Sequence, residues 1–366
     1  MASSLYGDYP DLSGVKKILV IKLRQLGDVL LTTPVFSALQ SRFPHAQIDA
    51  YVYSDSLPLL ERHPAIGTLL SYDRSWKKLS LLKRLAREWG VLSRIRQSGY
   101  DLVVNLTEGD RGAIAARLSK APIRVGFDPQ GSGLWGKRSL YTHIAKQCPT
   151  LRHTVERNLD ALRRIGLAPS YETRELTLPI CPLALQRMQS RVTRPFLLIH
   201  PTSRWRFKCW PVEKMRALSQ ALLSQGISLV FTSGPDAAEL AMVNQICAGL
   251  NVLNLAGQIA LQELAALISL SEQLLCVDSL PFHMANALKK PVVALFGPTS
   301  DVTWGPWRNP DAIVVAQAFS CRPCYQDGCG GSKKSDCLET LSVESVFHAL
   351  QTKLIAKVAP AGLGIC

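Results

Sequence analysis

The stretch from Ile18 to Pro34 constrains the fold of this chain more than any other. An apolar run that begins at Ile18 predicts a buried strand, and we expect a helix to begin at Gly27-Asp28. A joint of this kind presents a carboxylate at the edge where α/β sheets bind their ligands. No Gly-x-Gly-x-x-Gly accompanies it, which argues against a nicotinamide-dependent oxidoreductase.

Strand and helix patterns alternate along the chain and restart near residue 195. The predicted strands lie at 17–22, 47–53, 68–72, 101–106, 123–127, 195–200, 227–232, 251–255, 273–277 and 291–296. The predicted helices lie at 28–42, 78–98, 109–119, 152–166, 211–225, 236–248, 261–270, from 281 onward and at 343–357. Segment 128–150 reads as a loop and 167–182 as a linker, because both are rich in proline or glycine. Two successive series of this kind predict two Rossmann-like, doubly wound α/β domains facing across a cleft, at 1–175 and 176–366.

The net charge of +14 is concentrated in the first half, where 26 Lys+Arg oppose 16 Asp+Glu in residues 1–175. The densest basic segment, 74–96, contains one acid and interleaves Trp76 and Trp89 with apolar residues at helical spacing. Such a helix can lie on an anionic membrane surface, or it can cover the core with its charged side in water. No nucleic-acid-binding motif accompanies the charge, so we expect no nucleic-acid partner.

The N-terminus is polar and lacks the basic and apolar regions of an export signal, and no apolar run reaches the roughly 20 residues of a membrane span. These features predict a cytoplasmic protein. Ten cysteines in such a chain indicate free thiols or a local cluster and not a disulfide framework. Four thiols, which could bind zinc, form a pair or stay free, lie close in sequence: Cys321, Cys324, Cys329 and Cys337.

Three loops that follow predicted strands in the second half suit an anionic ligand. The first contains Thr202, Ser203 and Lys208, which offer two hydroxyl donors and a mobile cation. In the second, Asp278-Ser279 precedes a helix whose N-terminus favours an anion. The third, Gly297-Pro298-Thr299, is a tight turn with free backbone amides. Each loop alone also fits ordinary turn chemistry.

Taken together, the order and spacing of these motifs resemble the lipopolysaccharide heptosyltransferases, glycosyltransferase family 9. The resemblance covers nearly the whole chain, and the cysteine-rich tail is most similar to the heptosyltransferase III branch. The segments that carry it are Lys22–Pro34, His153–Asp160, His200–Arg204, Lys208–Pro211, Asp278–His283, Phe296–Thr299 and Cys321–Leu338.

This resemblance implies an inverting GT-B glycosyltransferase that needs no metal and no cofactor beyond its donor substrate, ADP-L-glycero-β-D-manno-heptose. It places the donor on the second domain and a lipid-anchored, anionic core oligosaccharide on the first, at the cytoplasmic face of the inner membrane. Asp28 is the implied general base, and Lys208 stabilises the leaving diphosphate. The implied donor-binding residues are Thr202, Ser203, Lys208, Glu239, Asp278, Ser279, His283, Gly297, Pro298 and Thr299; Arg24, Arg84 and Arg87 are expected to bind the acceptor.

Several alternatives remain open from the sequence. Asp28 could serve only its helix N-terminus, where carboxylates are favoured without catalysis. His283 could be an ordinary core histidine, and Lys208 a surface residue. Leu280 stands where many relatives have glycine or another small residue, which predicts a narrower donor site. A transferase of another nucleotide-sugar and a non-catalytic glycolipid-binding homologue are the rival functions.

Overall fold

The structure, a computed structural model, describes the backbone of residues 8–358 and the side chains of residues 8–352. The chain forms two compact units that divide between Pro179 and Ile180. The boundary expected from the sequence lies at 175/176, within the same proline-containing segment. Each unit is an α/β layer structure built on one parallel sheet.

The first unit contains a six-stranded parallel sheet in the order β3-β2-β1-β4-β5-β6. Its strands are β1 (Lys17–Lys22), β2 (Gln47–Tyr53), β3 (Leu69–Tyr72), β4 (Leu102–Asn105), β5 (Ile123–Phe127) and β6 (His143–Ala145). Its helices are α1 (Leu26–Leu30), α2 (Thr33–Arg42), α3 (Leu57–Leu60), α4 (Leu81–Gln97), α5 (Asp110–Leu118) and α6 (Thr154–Arg163). Every residue of β4 is buried, as expected for a strand that is covered on both faces.

The second unit repeats the plan with the sheet order β12-β11-β10-β7-β8-β9. Its strands are β7 (Leu197–His200), β8 (Leu229–Phe231), β9 (Leu253–Asn254), β10 (Gln273–Val277), β11 (Val292–Leu295) and β12 (Ala312–Val315). Its helices are α7 (Pro182–Gln189), α8 (Val212–Ser224), α9 (Ala237–Cys247), α10 (Leu261–Leu270), α11 (Leu280–Ala287), α12 (Asp336–Glu339) and α13 (Val343–Val358). The buried Trp210 indole anchors its core and donates a hydrogen bond to the Leu341 carbonyl at 3.2 Å.

Both sheets reverse their strand order at an equivalent place. The chain winds outward from β1 through β2 to β3 and then returns to place β4 on the other side of β1. In the second unit, β10 likewise returns to the free side of β7. Ligands of open α/β sheets bind beyond the carboxyl ends of the strands at such a reversal. The fold therefore predicts that ligand-binding residues lie in the loops after β1, β4, β7 and β10.

The two doubly wound sheets confirm the predicted fold class, but some local predictions were wrong. The expected helix at 28–42 is two helices, and the first begins at Leu26, so Gly27 and Asp28 lie inside it. Pro34 lies in the first turn of α2, where its missing N–H costs no hydrogen bond.

Five elements of the described chain are absent from the sequence prediction: the short helices α3 and α12, the edge strands β6 and β12, and helix α7. The 128–150 segment is not a continuous loop, since it contains β6, a three-residue edge strand paired with β5. The β12 edge strand is only half-buried and lacks a strong apolar signal. The linker expected at 167–182 ends where α7 begins, at Pro182.

Within residues 8–358, no helix combines the length and the apolar character that a membrane crossing requires.

Replacing Gly90 by alanine should stabilise the first unit. Gly90 lies in the middle of α4, and an added Cβ would meet no other atom within 4 Å. Because glycine loses more backbone entropy on folding than alanine does, we expect Gly90→Ala to raise the free energy of unfolding by about 0.5–1 kcal/mol. Guanidinium denaturation of the variant and the wild type measures the difference.

Gly126→Ala is the matched control. An added Cβ at Gly126 would overlap the Tyr141 ring, which is fixed by a 2.7 Å hydrogen bond from the Asn105 side-chain amide to its hydroxyl. The free energy of unfolding of this variant should be lower than that of the wild type by about 1–3 kcal/mol, the usual cost of overpacking. A destabilised Gly90→Ala protein would contradict the described environment of α4.

Candidate active site

Lys22 lies at the carboxyl end of β1 and is buried. Its Nζ donates hydrogen bonds to the Leu106 carbonyl and to Asn158 Oδ1, each at 3.1 Å, and the Asn158 amide donates to the Leu31 carbonyl at 3.0 Å. Burial lowers the pKa of Lys22 to about 8, and the negative charge of Asp28 partly opposes that shift. The buried amine therefore links β1 and the segment after β4 to helix α6, and Asn158 extends this link to the C-terminal end of α1.

Asp28 lies in the first turn of α1 and is half-buried. The N-cap residue of α1 is Gln25, and no side chain makes a capping hydrogen bond there. Among the described residues, the Asp28 carboxylate has no hydrogen-bond or ion-pair partner. The geometry therefore gives it no side-chain cap role, although its charge still complements the helix N-terminus. A carboxylate in this state has free lone pairs with which to accept a proton.

Glu108, in the loop after β4, forms ion pairs with two arginines. Glu108 accepts from Arg24 at 3.0 Å and from Arg157 at 3.4 Å. Arg74, in the turn before α4, donates to the Gln25 side chain at 3.3 Å and pairs with Asp55 at 3.2 Å. The positive charge around α1 is thus supplied by several elements of the first unit.

The three arginines expected to bind the acceptor have different surroundings. Arg24 lies beside α1 and is held by Glu108, although an exposed pair of this kind is weak and leaves the guanidinium accessible. Arg84 lies 4.0 Å from Glu88 within α4, and Arg87 is exposed on the same helix. Arg24 thus lies between β1 and α1, whereas Arg84 and Arg87 lie on α4.

In the second unit, Asp278 lies at the centre of the candidate donor site. It directly follows β10, whose Cys276 is in register with His200 of β7. Its buried carboxylate accepts from Lys208 Nζ at 2.7 Å and from Thr299 Oγ1 at 2.6 Å. Residues from all three predicted loops therefore meet at one carboxylate. The fold excludes the alternative in which Lys208 is merely a solvated surface residue.

Glu239 organises the neighbouring side of this site from the first turn of α9. Its Oε2 accepts from the Thr202 hydroxyl at 2.6 Å and from the Gly234 amide at 3.2 Å. A Cβ at Gly234 would lie 3.2 Å from both carboxylate oxygens, a tight contact that would displace the Glu239 carboxylate slightly. Ser203, next in the loop, is half-buried, and its hydroxyl accepts from the Trp205 amide at 3.3 Å.

Ser279 is the N-cap residue of α11 but makes no side-chain capping bond, and its hydroxyl donates to the Val277 carbonyl at 3.2 Å. Leu280 follows as a half-buried residue, and Pro281 in the first turn has no N–H to donate. His283 is buried further along the helix, with its ring centroid 6.4 Å from that of Trp304. The helix start is thus bounded by a leucine side chain, and the histidine lies behind it.

Gly297 and Pro298 are buried, and the packing around residue 297 leaves room only for a glycine there. A Cβ at Gly297 would lie 2.6 Å from Leu338 Cδ1. The Gly297 carbonyl accepts from Arg322 Nε at 2.6 Å, and the Pro298 carbonyl accepts from the Tyr325 amide at 3.0 Å. The cysteine-rich tail therefore packs directly on the third loop and brings the Arg322 cation to it.

The tail also supports the first loop, since the Ser335 hydroxyl donates to the Phe207 carbonyl, next to Lys208, at 2.7 Å. The thiols of Cys321, Cys324, Cys329 and Cys337 are free. Burial raises the pKa of the Cys337 thiol. Within the described part of the chain, no three histidine, cysteine or acidic side chains are close enough together to bind a metal ion. The free-thiol alternative thus describes these cysteines in the structure, and the zinc and disulfide alternatives do not.

His200 ends β7 at the base of the first loop. It is buried, and its Nδ1 lies 3.0 Å from the Thr232 hydroxyl. Burial lowers its pKa to about 4, so it is neutral near pH 7. We therefore assign it to the support of the loop.

Two doubly wound α/β units in one chain, each with polar loops beyond the carboxyl ends of its strands, are the architecture of the GT-B fold. A glycosyl transferase family 9 structure from Veillonella parvula DSM 2008 shares this fold with a TM-score of 0.78 at 23% identity, covering 96% of this chain and 100% of that one. The structure of E. coli ADP-heptose lps heptosyltransferase II does so with a TM-score of 0.75 at 22% identity, covering 93% and 99%.

Sequence comparison narrows this class to one family. Glycosyltransferase family 9 (heptosyltransferase) matches residues 89–334. Lipopolysaccharide heptosyltransferase 3 of Escherichia coli K12 is 35% identical over 349 residues, which are 93% of this chain and 98% of that protein. The chain belongs to glycosyltransferase family 9, the heptosyltransferases, as its motifs predicted, and it is a glycosyltransferase.

Sequence reasoning missed several residues that the structure brings to these sites. Lys22, Glu108, Arg157 and Asn158 converge around α1 from elements far apart in the chain. Arg322 reaches the third loop from the tail. The motif at 153–160 carries Arg157 and Asn158, but only the fold shows which groups they contact.

The neutral, buried state of His200 predicts an acid-dependent loss of stability. Between pH 6.5 and 4 the unfolded chain protonates this histidine while the folded protein does not, so the free energy of unfolding falls as the pH falls through this interval. We expect His200→Asn to remove up to about 3 kcal/mol of that fall. Denaturation curves at several pH values measure it.

His45→Asn, at an exposed histidine of the first unit, is the control against which the effect of His200→Asn is measured. An identical acid profile for His200→Asn and the wild type would contradict the burial of His200.

Proposed function

We propose that this glycosyltransferase acts in lipopolysaccharide core synthesis and transfers the branch heptose from ADP-L-glycero-β-D-manno-heptose to the inner core. The observation that carries the proposal is the end-to-end similarity to a lipopolysaccharide heptosyltransferase 3, at 35% identity over 98% of that protein. The geometry adds two separate polar centres, one in each unit, that suit an acceptor and a nucleotide-sugar donor.

The second unit has the chemistry needed to bind the donor. A diphosphate leaving group gains negative charge as the bond to the sugar breaks, and fixed donors and cations stabilise that charge. Lys208 supplies a cation that Asp278 already holds in place, so little conformational entropy is lost when it acts. Arg322 and the α11 N-terminus add positive potential near the same loops. On this proposal no cofactor beyond the donor is needed.

Asp278 and Glu239 would have distinct roles on the donor. Both are carboxylates and accept hydrogen bonds, which suits sugar hydroxyls and not phosphates. Glu239 is held by Thr202 and the Gly234 amide, and we assign it to the ribose of the nucleotide. Asp278 is assigned to the ribose or the transferred sugar, with Thr299 fixing its orientation.

In the first unit, Asp28 would act as the general base. A direct displacement with inversion needs a group that takes the proton from the attacking hydroxyl. Among the described residues the Asp28 carboxylate, in the first turn of α1, has no hydrogen-bond or ion-pair partner, and the buried Lys22 cation lies near enough to interact with its charge. Arg24 and, on α4, Arg84 and Arg87 would attract the anionic groups of the acceptor. A lipid-anchored acceptor would place the enzyme at the cytoplasmic face of the inner membrane.

Transfer to defined, truncated core acceptors tests the proposal. We expect turnover with ADP-heptose and a new heptose branch in the product, with the linkage read by NMR. Turnover only with UDP- or GDP-sugars would support a transferase of another nucleotide-sugar. Binding of the donor without turnover on any core acceptor would support a non-catalytic homologue, and either result would overturn the proposal.

The variant Asp28→Asn tests whether Asp28 is the general base. The amide keeps the size of the side chain but cannot take a proton, so we expect kcat to fall by about 10²–10⁴-fold. Calorimetric affinity for ADP-heptose should stay within about twofold, because the donor is assigned to the second unit. Asp11→Asn, at an exposed acid of the same unit, is the control and should keep full activity. Turnover of Asp28→Asn at the wild-type rate would show that another group is the base.

A further inference from the structure

We propose that helix α4 docks this enzyme on an anionic lipid bilayer through an exposed apolar face. This α4 apolar face consists of Leu81, Leu82, Leu85 and Trp89. This docking element adds to the membrane location proposed above. Only the lipid-anchored acceptor in this inference rests on the proposed function.

The α4 apolar face is not part of the core. Leu82 is 80% exposed, Leu81 61%, Trp89 59% and Leu85 50%. Within α4 only Ile95, near the C-terminal end, is buried. A helix that merely covers a core buries its apolar stripe, so the exposures exclude the core-covering interpretation for the first half of α4.

The four side chains form one continuous surface. Leu81, Leu85 and Trp89 are spaced four residues apart and therefore share a helix face, with Leu82 beside them. They span roughly 12 Å along the axis at 1.5 Å per residue. Large apolar side chains grouped in this way on a soluble surface mark an interaction site.

The charges around this face identify the kind of partner. Lys83 and Arg87 share the opposite side of α4, and Arg94 continues that side. Lys77 and Lys78, both exposed, precede the helix. A helix with leucine and tryptophan on one side and lysine and arginine on the other is the pattern that lies in the interface of an anionic membrane.

The single acid in this segment does not offset the positive charge. Glu88 is half-buried, and its Oε1 accepts from the Tyr72 hydroxyl at 3.1 Å and from Arg111 at 3.3 Å. The charged side chains of residues 74–96 that are fully exposed are therefore all positive. This favours the phosphates of a bilayer surface, and Trp89 is the side chain that prefers the headgroup depth.

Flotation with lipid vesicles tests the proposal on the full-length protein. We expect binding to vesicles of phosphatidylethanolamine and phosphatidylglycerol, and at least about tenfold weaker binding to phosphatidylcholine. Raising the salt from about 0.15 M to about 1 M should weaken the binding, because screening shortens the reach of the cations.

The variant Leu82→Gln with Trp89→Gln removes the two exposed anchors and should weaken vesicle binding at least about tenfold, which corresponds to about 1.4 kcal/mol. Leu183→Gln, at a leucine of α7 that is 64% exposed, is the matched control and should bind like the wild type. Unchanged vesicle binding of the double variant would overturn the proposal. A self-association in analytical ultracentrifugation that the double variant abolishes would overturn it too, since the face would then cover a second copy.

A delipidated core acceptor separates this inference from the proposed reaction. The double variant should turn over the soluble acceptor at the wild-type rate and lose activity only on acceptor embedded in vesicles. Equal activity of the double variant and the wild type on embedded acceptor would contradict docking through α4. Absence of turnover by the wild type on both acceptors, with vesicle binding intact, would refute the reaction and leave the docking standing.

Discussion

The ion pair between Lys208 and Asp278 depends on the reversal of strand order in the second sheet, and the rest of the candidate donor site is arranged around it. The pair joins the loop after β7 to the loop after β10, and these strands are neighbours only because the chain returns to the free side of β7. A buried carboxylate is costly unless it is paired and hydrogen-bonded, and Thr299 completes that requirement from the loop after β11. One electrostatic constraint therefore fixes three loops at once.

The first unit also buries a charged group, in this case a cation. Lys22 ends β1, and its ammonium group is satisfied by a carbonyl after β4 and an amide on α6. Asp28 lies on the short helix that follows, and its carboxylate has no direct partner in the part of the chain that the structure describes. The second unit thus holds Asp278 in an ion pair, whereas Asp28 of the first unit has no such pair among the described residues. This difference fits a division between binding a donor and accepting a proton.

The cysteine-rich tail acquires a structural role that its cysteines do not suggest. Arg322 and Tyr325 bond to the third loop, and Ser335 bonds to the first. Leu338 packs where Gly297 leaves space. The tail therefore supports the candidate donor site from behind through backbone contacts and packing, while the four thiols stay free.

The sequence by itself determined the fold class, most of the strands and helices, and the family. Buried parallel strands are apolar throughout, and a motif at a strand end keeps its spacing, so both signals are local. Only the tertiary structure decided the edge strands β6 and β12, the early start of α1 at Leu26, and the convergence of Lys22, Glu108 and Asn158 around α1. It also decided that the apolar residues in the first half of α4 are exposed. These outcomes depend on which distant segments pack together, and helical spacing alone cannot tell an apolar face that meets the core from one that meets another partner.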